Sequence, residues 1–156
     1  MGRAKLDAVD RKILACLQEE GRITNVDLAE RVGITAPPCL RRVRALEEEG
    51  YIEGYHAELN HQSMGYGLTV FAMVGLNSQA EADLKAFESK VSSWPMVREC
   101  YMLNGEIDFM LKIVAPDLQG FQQFLTSELT PAPNVASVKT SLTIRTSKKV
   151  PGVPMG

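Results

Sequence analysis

A chain of 156 residues, 45% hydrophobic and 23% charged, has the composition of an ordinary globular protein of one medium or two small domains, not of a collagenous or disordered chain. Its formal net charge is −2, with nine basic and eleven acidic residues up to residue 60 and eight of each beyond it. Neither half is a basic domain, so any binding of nucleic acid has to rest on local arrangement.

Cys16, Cys39 and Cys100 are scattered, and His56 and His61 have no partner cluster. That argues against a disulfide framework and a zinc site, and points to reduced thiols in a cytoplasmic protein without metal or cofactor. No stretch approaches the roughly 18 apolar residues of a membrane span. The start "MGRAKLDAVDRK" lacks the apolar core of a secretory signal, so no membrane partner is expected.

"LDAVDRKILACLQEEG" places Val9, Ile13, Cys16 and Leu17 on one face, with Asp7 as N-cap, Asp10 three residues on and Gly21 as the stop. "RITNVDLAERVG" gives a short second helix, capped by Thr24 with Asp27 and closed by Gly33. In "GITAPPCLRRVRALEEEG" the doubled proline marks a helix start, with Pro37 expected at or before the cap and Pro38 at the first helical position. Cys39, Leu40, Val43 and Leu46 then share a core-facing side, while Arg41, Arg42 and Arg44 spread over the opposite one.

Three such helices, the last two joined by "GITA", make a helix-turn-helix over about residues 25–48. "YIEGYHAEL" alternates as a wing strand would. In this motif the second helix of the pair enters the major groove, where guanidinium groups meet guanine edges or phosphates. Glu47, Glu48 and Glu49 lie at the far end. The bland alternative is a solvated face with pairs such as Arg44 to Glu48.

Residues 60–66, "NHQSMGY", read as a linker. "GLTVFAMVGL" is a strand apolar on both sides, and "SQAEADLKAFESKVSSW" a helix with Ser78 and Glu81 as a capping box. "VRECYMLNGEIDFMLKIV" reads as two strands around a two-residue Asn104-Gly105 hairpin. "PDLQGFQQFLTSEL" repeats Leu118, Phe121, Leu125 and Leu129 as a second helix despite Gly120, and Val138, Thr140, Leu142 and Ile144 alternate as a last strand. The order β-α-β-β-α-β is ferredoxin-like. Its second sheet face carries Phe71 and Met73, and two copies packed sheet against sheet would cover it. The tail "SKKVPGVPMG" reads as a poorly ordered end.

The fold class expected is therefore α+β: a winged helix-turn-helix over 1–59, a linker over 60–66, a ferredoxin-like βαββαβ domain over 67–146 and a tail over 147–156. The segment from Leu6 to Asn60 resembles the DNA-binding domain of the Lrp/AsnC, or feast/famine, transcription regulators. The family pattern is L-D-x-x-D-x-x-I-L, then G-R-x-[ST]-N-x-x-L-A-x-x-V-G-[LI]-[ST], then P-x-P-C-L-x-R-V-x-x-L-E-x-x-G-x-I-x-G-Y. One departure is Ala36-Pro37-Pro38 in place of the family's common Pro-Thr-Pro. It removes a threonine hydroxyl at Pro37 and leaves Thr35 for that contact. "CYMLNGEIDFMLKIV" is similar to the regulatory domain of the same family, with Gly105, Asp108 and Phe109 on its pattern.

The resemblance implies a transcription regulator without enzymatic activity. Its partner is double-stranded DNA, met through Asn25, Thr35, Pro37, Arg41, Arg42 and Arg44. Its effector is an amino acid, met through Met102, Leu103, Asn104, Gly105 and Asp108, and it self-associates as dimer and octamer. Asp108 would accept from an α-ammonium, and N–H groups around the glycine turn would hold an α-carboxylate. The alternatives are an architectural DNA binder with little sequence preference, or a metabolite-binding module. No G-x-S-x-G, P-loop or dinucleotide fingerprint supports an enzyme.

Overall fold

The computed structural model describes residues 5–155. They form two compact units: one runs to Glu58 and resumes at Lys148, the other spans Leu59–Ser147.

The first unit holds α1 (Ala8–Glu19), α2 (Asn25–Val32) and α3 (Ala36–Glu48). The caps follow the local chemistry. Asp7 and Asp10 close a reciprocal capping box on α1, Thr24 accepts from the Asp27 N–H, and Gly33 ends α2 at φ 80°. α1 ends at Glu19 with Glu20 as its C-cap, and Gly21 follows the cap directly. The core is Ile13, Leu28, Ala29, Val32, Cys39 and Leu46, with Val43, Tyr51 and Ile52 packed against it. Leu40 stays 37% exposed, so it is a margin residue and not a core anchor.

Two expectations for this unit need correcting. α3 begins at Ala36 with Thr35 as cap, so Pro37 and Pro38 are the second and third helical residues. The first N–H to find a helical carbonyl is that of Cys39, which donates to Thr35 O at 3.2 Å. Both prolines therefore sit where a missing N–H costs no hydrogen bond. Residues 51–59 form no strand. A strand needs a ladder partner, and instead Tyr51 and Ile52 turn back onto the helical core.

The tail is tied down. The Gln18 side-chain amide donates to Val153 O at 2.8 Å and accepts from Val153 N at 3.1 Å, and Lys149 pairs with Glu58 at 3.0 Å. A glutamine amide presents a donor and an acceptor side by side, as a neighbouring strand would. That pairing was not visible in a segment without periodicity.

The second unit is a four-stranded antiparallel sheet of β1 (Leu68–Leu76), β2 (Val97–Met102), β3 (Phe109–Ala115) and β4 (Val135–Leu142) in the order β2-β3-β1-β4. α4 (Glu81–Ser92) and α5 (Leu118–Phe124) join the strands, and a π-helical turn, Leu125–Leu129, continues α5. Val70, Ala72, Val74, Phe109, Leu111 and Ile113 bury one sheet face against Phe87, Val91, Trp94, Phe121 and Leu129. Phe87 packs against Phe109 with centroids 4.8 Å apart and ring planes tilted by 40°, and Trp94 meets Phe124 edge-on at 5.3 Å.

Several details differ from the expected ones. Residues 61–65 form a turn closed by Gly65 at φ 83°. Ala80, not Ser78, caps α4, and the Ser78 hydroxyl donates to Asp83 at 2.6 Å instead of forming a box with Glu81. Leu118 is 48% exposed, and Ile144 lies beyond β4 and is 99% exposed.

Candidate functional site

α3 presents its charge unevenly. At about 100° per residue, Arg41 and Arg44 lie about 60° apart, while Arg42 is about 100° from the first and about 160° from the second. Arg41 and Arg44 are exposed, and neither forms an ion pair among the described residues. The solvated-face pair of Arg44 with Glu48 does not form. Glu47 instead accepts from the Tyr55 hydroxyl at 3.2 Å, and burial, with Glu47 beside it, raises the Tyr55 pKa.

Arg42 has another job. Its Nη1 lies 2.7 Å from Asp7 Oδ2 and 3.0 Å from Asp10 Oδ1. The N–H of Asp10, followed by Arg42, holds the Asp7 carboxyl below its ordinary value, and the two aspartates hold the Arg42 pKa above its own. The group expected to meet DNA with Arg41 and Arg44 is thus engaged within the unit, because its position on the helix turns it towards the start of α1.

Asn25 opens α2 and donates from Nδ2 to Ala36 O at 2.9 Å, which ties the first residues of the two motif helices together. Its Oδ1 is buried without a partner among the described residues. The Thr35 side chain forms no capping bond and is exposed, so its hydroxyl is open, and the Pro37 ring is exposed beside it. The face brought together at the head of α3 is therefore Thr35, Pro37, Arg41 and Arg44. Burial raises the Cys39 pKa beneath it.

In the second unit, Met102 ends β2 and Leu103 to Asp108 form a six-residue loop before β3. The two-residue hairpin is not formed. The Leu103 N–H donates to Asp108 O at 2.8 Å and closes the wider loop, with Gly105 at φ 150° inside it. That backbone region suits glycine alone. Met102, Leu103, Asn104, Gly105 and Glu106 are exposed.

Asp108 faces inward. Its Oδ2 accepts from the Leu76 N–H at 2.6 Å and from Gln79 Nε2 at 3.3 Å, and its own N–H donates to Val74 O at 3.0 Å. Gln79 also donates to Leu76 O at 2.9 Å. The carboxylate expected to receive a ligand ammonium thus spends one oxygen on closing the bulge that follows Gly75. Sequence reasoning missed Leu76 and Gln79, since nothing in their spacing marks two residues about thirty positions away as partners of Asp108.

On the sheet face away from α4 and α5, register aligns Tyr101, Met110, Met73 and Lys139 in one row and Glu99, Lys112, Phe71 and Ser141 in the next. Lys112 pairs with Glu99 at 3.1 Å, and Glu99 accepts from the Tyr101 hydroxyl at 2.5 Å. The face carries the expected Phe71 and Met73 in an apolar stripe that is crossed by charge at Glu99, Lys112 and Lys139. Among the described residues no group of three or more His, Cys, Asp or Glu could hold a metal ion.

Comparison with known proteins matches both units. Residues 69–153 fit the family described as the Lrp/AsnC ligand binding domain, and residues 6–53 the family described as winged helix-turn-helix DNA-binding. The chain is 59% identical over 146 residues to the leucine-responsive regulatory protein of Rhizobium meliloti, covering 94% of each. It is 42% identical over 142 residues to the Bkd operon transcriptional regulator of Pseudomonas aeruginosa, covering 91% of this chain and 93% of that one. A transcriptional regulator from Neisseria meningitidis, solved as an L-methionine complex, has the same fold at a TM-score of 0.92 and 36% identity, covering 97% of both chains.

Proposed function

The chain belongs to the Lrp/AsnC family, and on that premise we propose how its residues serve an effector-responsive, DNA-binding transcriptional regulator. The head of α3 enters the major groove: Arg41 and Arg44 supply bidentate donors for guanine edges and phosphates, and Thr35 a hydroxyl for a phosphate. Asn25 keeps α3 in register with α2. The loop from Met102 to Gly105 holds the carboxylate of an amino acid on its backbone N–H groups. Asp108 shapes that loop from behind and offers only its remaining oxygen to the ammonium group.

The regulator works in the cytoplasm as a homodimer closed sheet against sheet, and as octamers built from such dimers. The rows of Phe71, Met73 and Met110 supply the apolar contact, and Glu99, Lys112 and Lys139 set its register.

The observation that carries the reading is the pair of unengaged guanidinium groups, Arg41 and Arg44, on one side of the second helix of the motif. A titration on promoter and random DNA at two salt concentrations, with and without each amino acid, tests it. Promoter DNA should bind roughly a thousandfold or more tighter than random DNA, and one or a few amino acids should shift that affinity. Equal affinity for every sequence would favour an architectural role, and indifference to all DNA would sink the reading.

A further inference from the structure

We propose that Arg42 is a positioning residue for DNA reading, which sets the pose of α3 by clamping it to the capping box of α1 and does not touch the nucleic acid. The inference rests on the reading of α3 as the helix that enters the groove.

All four carboxylate oxygens of the box are accounted for. Asp7 Oδ1 accepts from the Asp10 N–H at 2.8 Å, and Asp10 Oδ2 from the Asp7 N–H at 3.3 Å. The two oxygens that remain, Asp7 Oδ2 and Asp10 Oδ1, both receive Arg42 Nη1. Each aspartate thus holds α1 with one oxygen and α3 with the other. A cap that fixes where α1 starts is thereby made to fix where α3 lies.

Two observations argue against a phosphate contact by the same guanidinium. The cluster of one arginine and two aspartates carries a net charge of −1, and turning it towards a phosphate chain would cost repulsion. On the wheel, Arg42 points about 160° from Arg44, so the two cannot face the same groove wall. The link also has leverage. Asn25 ties α3 to α2 at its first residue, and Arg42 ties it to α1 about 1.7 turns further on, so the two contacts fix both the height and the rotation of Arg41 and Arg44.

The experiment measures the affinity of the full chain for a promoter site and for random DNA over a series of salt concentrations, after thermal melts have shown each variant folded at the assay temperature. Arg42→Gln should weaken promoter binding by about tenfold, leave random DNA almost unchanged and leave the slope of log affinity on log salt as it was. Asp7→Asn with Asp10→Asn should give the same loss, although removing two negative charges from a DNA-binding unit by itself strengthens binding. Combining the two sets should add no further loss, and Arg42→Lys, which keeps the charge but loses the fork, should fall between wild type and Arg42→Gln.

A slope reduced by about 0.9 in Arg42→Gln, or aspartate variants that bind as well as or better than wild type, would overturn the proposal and make Arg42 a phosphate contact. Arg41→Ala separates the two readings. If it weakens promoter binding while the Arg42 and aspartate variants do not, the brace alone fails. If it changes nothing, the reading of α3 fails and takes the brace with it.

Discussion

In the sheet unit, Phe109 is 1% exposed against Phe87, and Trp94, Phe121 and Leu129 complete a core of large apolar side chains. In the helical unit the fully buried side chains are Ile13, Leu28 and Cys39, none of them aromatic, and much of the fastening is polar: the Asp7–Asp10–Arg42 cluster, Asn25 on Ala36, Gln18 on Val153. The sheet unit fills a deep layer between strands and helices. Three short helices cannot enclose as much, so directional contacts set the angles that packing alone leaves loose. On the proposed reading, in which Arg41 and Arg44 meet DNA and the Met102–Gly105 loop meets the effector, the first unit gains from such angular control and the second from rigidity in bulk.

The largest effect that could break this contrast is Phe109→Ala. It should destabilise the sheet unit by about 3–5 kcal/mol, measured by denaturant unfolding, and a loss below about 1 kcal/mol would mean that the apolar layer is not what holds it. Next is Asp108→Ala, the polar exception in that unit. Losing a charged acceptor for the Leu76 N–H and Gln79 should cost about 1.5–3 kcal/mol and loosen the loop, seen as faster hydrogen exchange at Leu103. Gln18→Ala removes two exposed hydrogen bonds and should cost no more than about 1 kcal/mol. Its clearer signature is earlier proteolysis beyond Ser147.

The smallest effect is a pH dependence. The folded-state pKa of Asp7 is lowered, first by the Asp10 N–H and then by Arg42, so its contribution is fully present above the unfolded carboxyl value of about 3.9 and fades as pH falls through the depressed one. The gap in melting temperature between wild type and Asp7→Asn should therefore be constant from neutral pH down to about pH 4 and close below it. A gap that widens on acidification would contradict the brace geometry.

What could be read from the sequence and what could not divide along local and non-local lines. The caps at Asp7, Thr24 and Gly33, the strand at β1 and the order of strands and helices are set by residues close in the chain, and they are found as the pattern says. The failures are of two kinds. Where two local rules compete, the restriction on a residue before proline gives way to the absence of any need for an N–H in the first turn, so Pro37 lies inside α3 and Pro38 at its third position instead of its first. Where a partner is distant, no pattern existed: Arg42 finds acids 35 and 32 positions back, and Gln18 finds a backbone 135 positions on. At the candidate sites, residue type indicated a guanidinium face and a glycine loop. Which arginine is engaged, and which way Asp108 turns, depends on the fold.

The tail contact has a topological consequence. Because the chain leaves the helical unit at Glu58 and rejoins it at Lys148, that unit is discontinuous, and the sheet unit is in effect an insertion within it. Two covalent strands join the units, so one nick near residue 59 would not set the helical part free until the Gln18 and Glu58 contacts with the returning strand also let go. The returning strand lands on α1, the helix that also carries the aspartates paired with Arg42, so one helix receives both the end of the chain and the link to α3.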